Sequence, residues 1–198
     1  MTDTAAQPPK ALPLHVYPPE RIEVDEFQLR RYTIDDAEAL HQAVKASYAE
    51  IHPWMPWCVE PVKPEDQRDF IERAFLSWTT GKAFNWGIFD GDGKPDGDGK
   101  LIGAISLMDR VGSGALEIGY WLRTDRTGRG IITRAAARLT EIGLGLPEIS
   151  RIEIHCDEAN VRSAAVPKRL GYRLEAVVEG LTQEAPGETG RGMVWVTP

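Results

Sequence analysis

The stretch Asp125-Arg126-Thr127-Gly128-Arg129-Gly130-Ile131 constrains this chain more than any other. It follows an apolar, strand-like run over 116–122 and leads into a helical pattern over about 130–146. A strand, a basic glycine turn and a helix in that order make an anion site. The first turn of a helix carries unpaired backbone N–H groups and the positive end of the macrodipole. Glycines let a phosphate approach the main chain without meeting a Cβ atom. Arg126 and Arg129 add charge-assisted contacts. The turn therefore predicts a grip on the pyrophosphate of a cofactor. Two better-known phosphate loops do not fit. The NTPase loop needs a Gly-Lys-Ser/Thr ending, which does not follow Gly130. The dinucleotide fingerprint needs a third glycine where Thr133 stands.

The 198 residues are enough for one domain with a single core. We read 1–20, with Pro8, Pro9, Pro13, Pro18 and Pro19, as a flexible leader and 21–198 as the domain. No apolar run reaches the roughly 20 residues of a membrane span, and the N-terminus lacks the pattern of a signal peptide. A cytoplasmic location is expected. A net charge of −7 argues against nucleic acid as a partner. Cys58 and Cys156 lie far apart, and His15, His41, His52 and His155 form no cluster. No metal is expected.

Along the chain, the run from Ile22 to Arg30 predicts one opening strand. Thr33 caps a helix whose face is Ala37, Leu40, Val44 and Tyr48. Then comes His52-Pro53-Trp54-Met55-Pro56-Trp57, whose two prolines argue against regular structure. Its tryptophans Trp54 and Trp57 either cap the core or line a substrate pocket. Pro64 opens a second helix with Phe70, Ile71, Ala74, Phe75 and Trp78 on one face. Strands follow over 83–89, 100–108 and 115–122, the first two joined by a mobile tip rich in glycine and aspartate. Ile132, Ala135, Ala136, Leu139 and Ile142 form the stripe of the helix after the loop. A strand over 149–156, a short helix capped by Asn160 and ended at Gly171, and a closing antiparallel pair complete a mixed α/β fold.

The glycine turn resembles the pyrophosphate loop of the GNAT superfamily of N-acetyltransferases, Q/R-x-x-G-x-G/A, with Asp125 in the first position and Gly128 and Gly130 in the others. The segment from Asn160 through Ser163 to Leu170-Gly171-Tyr172 resembles the N-x-x-S…L-G-F signature of the RimJ/RimL-type branch, which acetylates protein N-termini. Glu117-Ile118-Gly119-Tyr120-Trp121-Leu122 resembles that branch's fourth strand. The resemblance covers about 22–197. It implies a central, mostly antiparallel sheet whose fourth and fifth strands splay apart, and acetyl-CoA as cofactor. Main-chain groups of Leu122, Arg123 and Thr124 would pair with the pantetheine arm. The turn from Arg126 and Thr127 through Gly128, Arg129, Gly130 and Ile131 would hold the pyrophosphate, and Asn160 would face the pantetheine or the acceptor. A homodimer is also implied.

The chemistry is attack of a neutral amine on a thioester. It needs a group to take the amine proton and one to protonate the thiolate. Glu117 is the candidate base, although the alternation of its strand also allows it to face solvent. Many relatives place a tyrosine seven residues after the asparagine, but Pro167 stands there. Ser163 matches the serine that serves as proton donor in the Rim-type branch. Pro167 has no N–H, so the Ser163 carbonyl lacks its helical partner. Tyr120 joins Trp54 and Trp57 as a candidate to line the acceptor pocket. The expected reaction is direct acetyl transfer to a primary α-amine of a protein N-terminus or an amino-acid-like molecule. The alternatives are a small-molecule acceptor such as an antibiotic or aminoacyl nucleotide, a longer acyl group such as succinyl, and a non-catalytic CoA sensor.

Overall fold

The computed structural model describes residues 17–91, 99–182 and 185–198. Most of the expected leader and of the glycine- and aspartate-rich tip lies outside the described residues. The leader's last residues pack on the domain. The Tyr17 hydroxyl donates to Thr79 O (2.9 Å) and the Trp86 indole donates to Pro19 O (3.1 Å).

Among the described residues, eight strands form one sheet in the order β1-β2-β3-β4-β5-β6-β8-β7. They are β1 (Arg21–Val24), β2 (Phe27–Arg31), β3 (Ala83–Asp90), β4 (Lys100–Met108), β5 (Ala115–Leu122), β6 (Arg151–Asp157), β7 (Arg173–Glu179) and β8 (Arg191–Val196). Neighbours are antiparallel except β5 and β6, which run parallel. The helices that flank the sheet among the described residues are α1 (Ala37–Lys45), α2 (Tyr48–Ile51), α3 (Pro64–Thr79), α4 (Ile131–Leu144) and α5 (Val161–Arg169). The larger core lies between one sheet face and α4 with α5, around Trp86, Ile105, Leu116, Ile118, Ala135 and Leu139. The smaller lies on the other face under α1 and α3, around Leu40, Val44, Ile71, Leu101 and Trp121.

The expected opening strand is a hairpin, β1 and β2, joined at Asp25 and Glu26. Asp25 adopts a left-handed φ of 48°. This residue type tolerates that region better than most, but the pair lacks the Asn-Gly or Asp-Gly signature of such turns. The strand before the glycine turn is therefore the fifth here. The expected helix through Tyr48 is also broken. Ser47 interrupts it with φ −128°, between α1 and α2. The two-proline segment contains one 3-10 turn, Pro56–Cys58, with Pro56 at its start, where the missing N–H costs nothing. On α4 the deepest residues are Ile131, Ala135, Ala136, Leu139 and Gly143, while Ile132 and Ile142 are only partly buried.

Candidate active site

Strands β5 and β6 pair only over Ala115↔Arg151, Leu116↔Ile152 and Glu117↔Glu153. Beyond Glu117 and Glu153 they no longer hydrogen-bond to each other, and a gap opens toward the glycine turn. Arg123 N–H donates to Ile102 O of β4 (2.7 Å). Because the groups of an antiparallel strand alternate between its two edges, the N–H and C=O of Leu122 and Tyr120 point into the gap. Leu122 thus fits the expected main-chain role. The N–H groups of Arg123 and Thr124 do not, since the latter donates to Ser47 Oγ (2.9 Å). Ser47 is 1% exposed. The break in the first helix therefore tethers the strand end that enters the turn.

Gly128 and Gly130 both take left-handed φ values, 77° and 71°. A Cβ at either would meet nothing within 4 Å, so conformation rather than space calls for glycine. Gly130 is the N-cap of α4 and receives no side-chain cap. The Arg126 and Thr127 N–H groups donate to Arg123 O (3.0 Å) and Thr124 O (3.2 Å), so it is the amides from Gly128 into the first helical turn that remain available to an anion. Arg126 binds Asp90 (2.9 Å). Arg123 binds Asp125 through both oxygens (3.0 and 2.9 Å), and this hydrogen bonding keeps the Asp125 carboxyl below the ordinary aspartate range. Asp125 at the mouth is thus neutralised by its neighbour. Arg129 is exposed and has no ion pair among the described residues. Arg134 of α4 grips Asp25 (2.9 Å) and Glu26 (2.7 and 2.6 Å), fastening the β1–β2 turn to the same helix end.

Across the gap, Asn160 Oδ1 accepts from Ser163 N–H (3.1 Å) and caps α5. The Tyr120 hydroxyl lies 3.0 Å from Ser163 O and 3.1 Å from Ser163 Oγ. That carbonyl is the one deprived of a donor by Pro167. A phenol has one proton, so when Tyr120 donates to the carbonyl, the Ser163 hydroxyl donates to Tyr120. Burial holds the Tyr120 phenol in its protonated form, well above the ordinary tyrosine range. Tyr120 therefore replaces the missing helical bond and faces α5. It does not join Trp54 and Trp57 in an acceptor pocket. Cys156, also on this side, has its thiol pushed up to about 11 by burial. A protonated thiol is a poor nucleophile, which favours direct transfer over an acyl-cysteine relay.

The opposite face carries Glu117, Gly119 and Trp121. Glu117 is 3% exposed, so it does not face solvent. Arg110 Nε and one terminal nitrogen donate to its two oxygens at 2.6 and 2.5 Å. Trp57 is 48% exposed, and its ring centroid lies 6.3 Å from that of Trp121. Trp54 is half-buried beside it in sequence. The site thus has two sides. Ser163 and Tyr120 sit with the cofactor helices. Glu117 and Trp121 sit on the other face, with Trp57 against Trp121.

A family model described as the acetyltransferase (GNAT) domain matches residues 26–173. This chain belongs to the GNAT acetyltransferase family. It is 32% identical over 150 residues to YdaF of Bacillus subtilis (strain 168), whose name proposes a ribosomal N-acetyltransferase; the match covers 75% of this chain and 78% of YdaF. It is 28% identical over 163 residues to the ribosomal-protein-serine acetyltransferase of Escherichia coli (strain K12), covering 81% and 87%. Among solved structures it resembles RimL, a ribosomal L7/L12 α-N-protein acetyltransferase in complex with coenzyme A, with a TM-score of 0.79 at 24% identity, covering 90% of this chain and 97% of that one. The GNAT protein is therefore an N-acetyltransferase that uses acetyl-CoA. The residues present fit that cofactor. The gap between β5 and β6 has main-chain groups on its edge, the turn offers bare amides, and the buried Thr124 Oγ1 has no protein partner. No helix among the described residues is long and apolar enough to cross a membrane.

The motif pattern pointed to the turn, Asn160, Ser163 and Glu117. It missed Ser47 and Asp90, whose partners Thr124 and Arg126 are distant in sequence, and Arg110, which reaches Glu117 across the β4–β5 turn. Trp121 was readable, since it alternates onto the face of Glu117.

Proposed function

We propose that this GNAT protein acetylates the α-amine of a protein N-terminus by direct attack. One observation carries the reading: Glu117 lies buried where β5 and β6 part, on the sheet face that also carries Trp121, against which Trp57 packs. The names of the two relatives, both for action on ribosomal proteins, support the same acceptor class. An α-amine, with a pKa of ~7.7–8.0 against ~10.4 for lysine, loses its proton readily near neutrality.

Acetyl-CoA supplies the activated acetyl carbon when bound. Leu122 and the amides of 128–131 orient it along the gap. Glu117 takes the proton that the attacking amine must lose. As the Ser163 hydroxyl gives its proton toward the leaving sulfur, the Tyr120 phenol turns from the Ser163 carbonyl to donate to Ser163 Oγ. The protein acts in the cytoplasm, on a peptide rather than on nucleic acid, and residues before about 21 form a leader to the catalytic domain. Two copies associate; the apolar residues Leu174, Val177 and Val178 exposed on the edge strand β7 support this, and light scattering tests it.

The test of the acceptor is mass spectrometry of peptides incubated with acetyl-CoA and the protein. Peptides with a free N-terminal serine or alanine gain one acetyl group. The same peptides blocked at the N-terminus, with a lysine retained, gain none. Acetylation of lysine alone would refute the reading. A second reading, a planar small-molecule amine such as an aminoacyl nucleotide, is favoured by the exposed Trp57 ring beside Trp121. On that reading Trp57→Ala weakens binding of the nucleotide far more than of a peptide.

A further inference from the structure

Glu117 does not stand alone on the acceptor face. Its register partner Glu153 is 6% exposed, and His155, two residues further along β6, shares the same face. His155 Nε2 lies 2.5 Å from Glu153 Oε2, and its Nδ1 lies 3.5 Å from Glu117 Oε2. One imidazole therefore joins two buried carboxylates. The other charged groups facing the cluster are Arg110, on Glu117; Arg151, whose Nε donates to Glu153 Oε1 at 2.5 Å; and Glu175, which pairs with Arg151. Arg151 lies at the solvent edge of the chain of contacts, and its side chain is 37% exposed. The three groups are not placed to hold a metal ion.

We propose that His155 and Glu153 form a proton exit for Glu117, carrying the amine proton from the buried fork to solvent beside Arg151. This rests on the reading of Glu117 as proton acceptor. The two residues act through Glu117 as positioning residues. The problem they solve is physical. A carboxylate enclosed by Arg110, the sheet and a bound acceptor must lose its proton before the next turnover, and burial leaves it little direct contact with water. An imidazole can receive a proton on one nitrogen while it releases one from the other.

The step balances as follows. The amine N–H bond breaks, and its proton joins Glu117 Oε2. The proton on Glu117 passes to His155 Nδ1 while the hydrogen on His155 Nε2 passes to Glu153 Oε2. Glu117 is again a carboxylate, and the imidazole remains neutral with its hydrogen on Nδ1. Glu153 then releases its proton to water beside Arg151, and His155 exchanges with solvent to return its hydrogen to Nε2. No electrons are transferred and no co-reactant is needed.

The test uses the full-length protein with acetyl-CoA and an α-amine peptide. His155→Gln keeps an N–H donor that can reach Glu153 but passes no proton, and Glu153→Gln removes the exit. Each is expected to lower kcat by roughly tenfold or more, with the KM for acetyl-CoA and the thermal shift it induces unchanged. In His155→Ala, added imidazole is expected to restore part of kcat, which a merely structural role would not allow. The unmodified protein supplies a readout independent of turnover. Proton NMR should show a deshielded His155 Nε2–H bonded to Glu153, and Glu153→Gln should shift it. If His155→Gln and Glu153→Gln keep full kcat while Glu117→Gln loses it, the exit is refuted and the base reading stands. If Glu117→Gln keeps full kcat, the base reading fails and takes the exit with it.

Discussion

Tyr120→Phe tests the two-sided site most sharply. Its hydroxyl bonds Ser163 O at 3.0 Å and Ser163 Oγ at 3.1 Å. The carbonyl has no helical donor, because Pro167 occupies the position four residues on. Removing the phenol oxygen leaves a part-buried carbonyl unsatisfied and the Ser163 hydroxyl without its partner. Such a loss costs about 1–3 kcal/mol. In a protein of this length each kcal/mol is worth roughly 2–4 °C in Tm. The expected fall is therefore about 4–8 °C for a mid-range loss near 2 kcal/mol. Differential scanning calorimetry reads it directly. The decisive comparison is a double-mutant cycle with Pro167→Ala, which returns an N–H to the helix. In that background the carbonyl has a donor again, and Tyr120→Phe should cost about 1 kcal/mol less. Equal costs in both backgrounds would refute the claim that Tyr120 substitutes for the missing bond.

Ser47→Ala should free Thr124 N–H and loosen the entry to the turn; with a loss near 1 kcal/mol, the KM for acetyl-CoA should rise about fivefold with kcat little changed. Gly130→Ala meets no steric obstacle but forces an L-residue to φ 71°, so it should cost about 1–2 kcal/mol in chemical denaturation and weaken acetyl-CoA binding as well. Acid should destabilise the protein through Asp36 and Asp157. Burial alone would raise both carboxyls; hydrogen bonds from Arg30 and Thr33 to Asp36, and from Thr182, Ala159 and Thr189 to Asp157, outweigh it and hold them below the ordinary aspartate range. A carboxyl depressed in the folded state contributes stability that is complete above its unfolded value of ~3.9 and is lost as pH falls through the folded value. Urea midpoints should therefore fall below about pH 4, and Asp157→Asn should flatten that fall.

Much of this was legible because motif and periodicity agreed. The run from Glu117 to Leu122, the glycine turn and the Asn160 helix each carry a local signal, and all three lie where the pattern placed them. What escaped was non-local. The β1–β2 turn uses Asp25-Glu26, a pair without a strong turn signature, and the clamp on Arg134 helps to hold it. The break at Ser47 is invisible in the apolar face from Ala37 to Tyr48, because its reason is an amide 77 positions away in sequence. Glu117 read equally well as solvent-facing, since alternation fixes a face but not what covers it. Tyr120 read as pocket-lining for the same reason.

The most direct measurement is thermal unfolding with acetyl-CoA, set beside ATP and NAD. A ligand of the folded state at about 100 times its dissociation constant adds about 2.7 kcal/mol, roughly 5–10 °C here. The account predicts that rise with acetyl-CoA, its reduction in Gly130→Ala, and no comparable rise with ATP or NAD. A folded protein that shows no shift with acetyl-CoA, or an equal shift with ATP, would contradict the assignment of the turn and of the gap between β5 and β6.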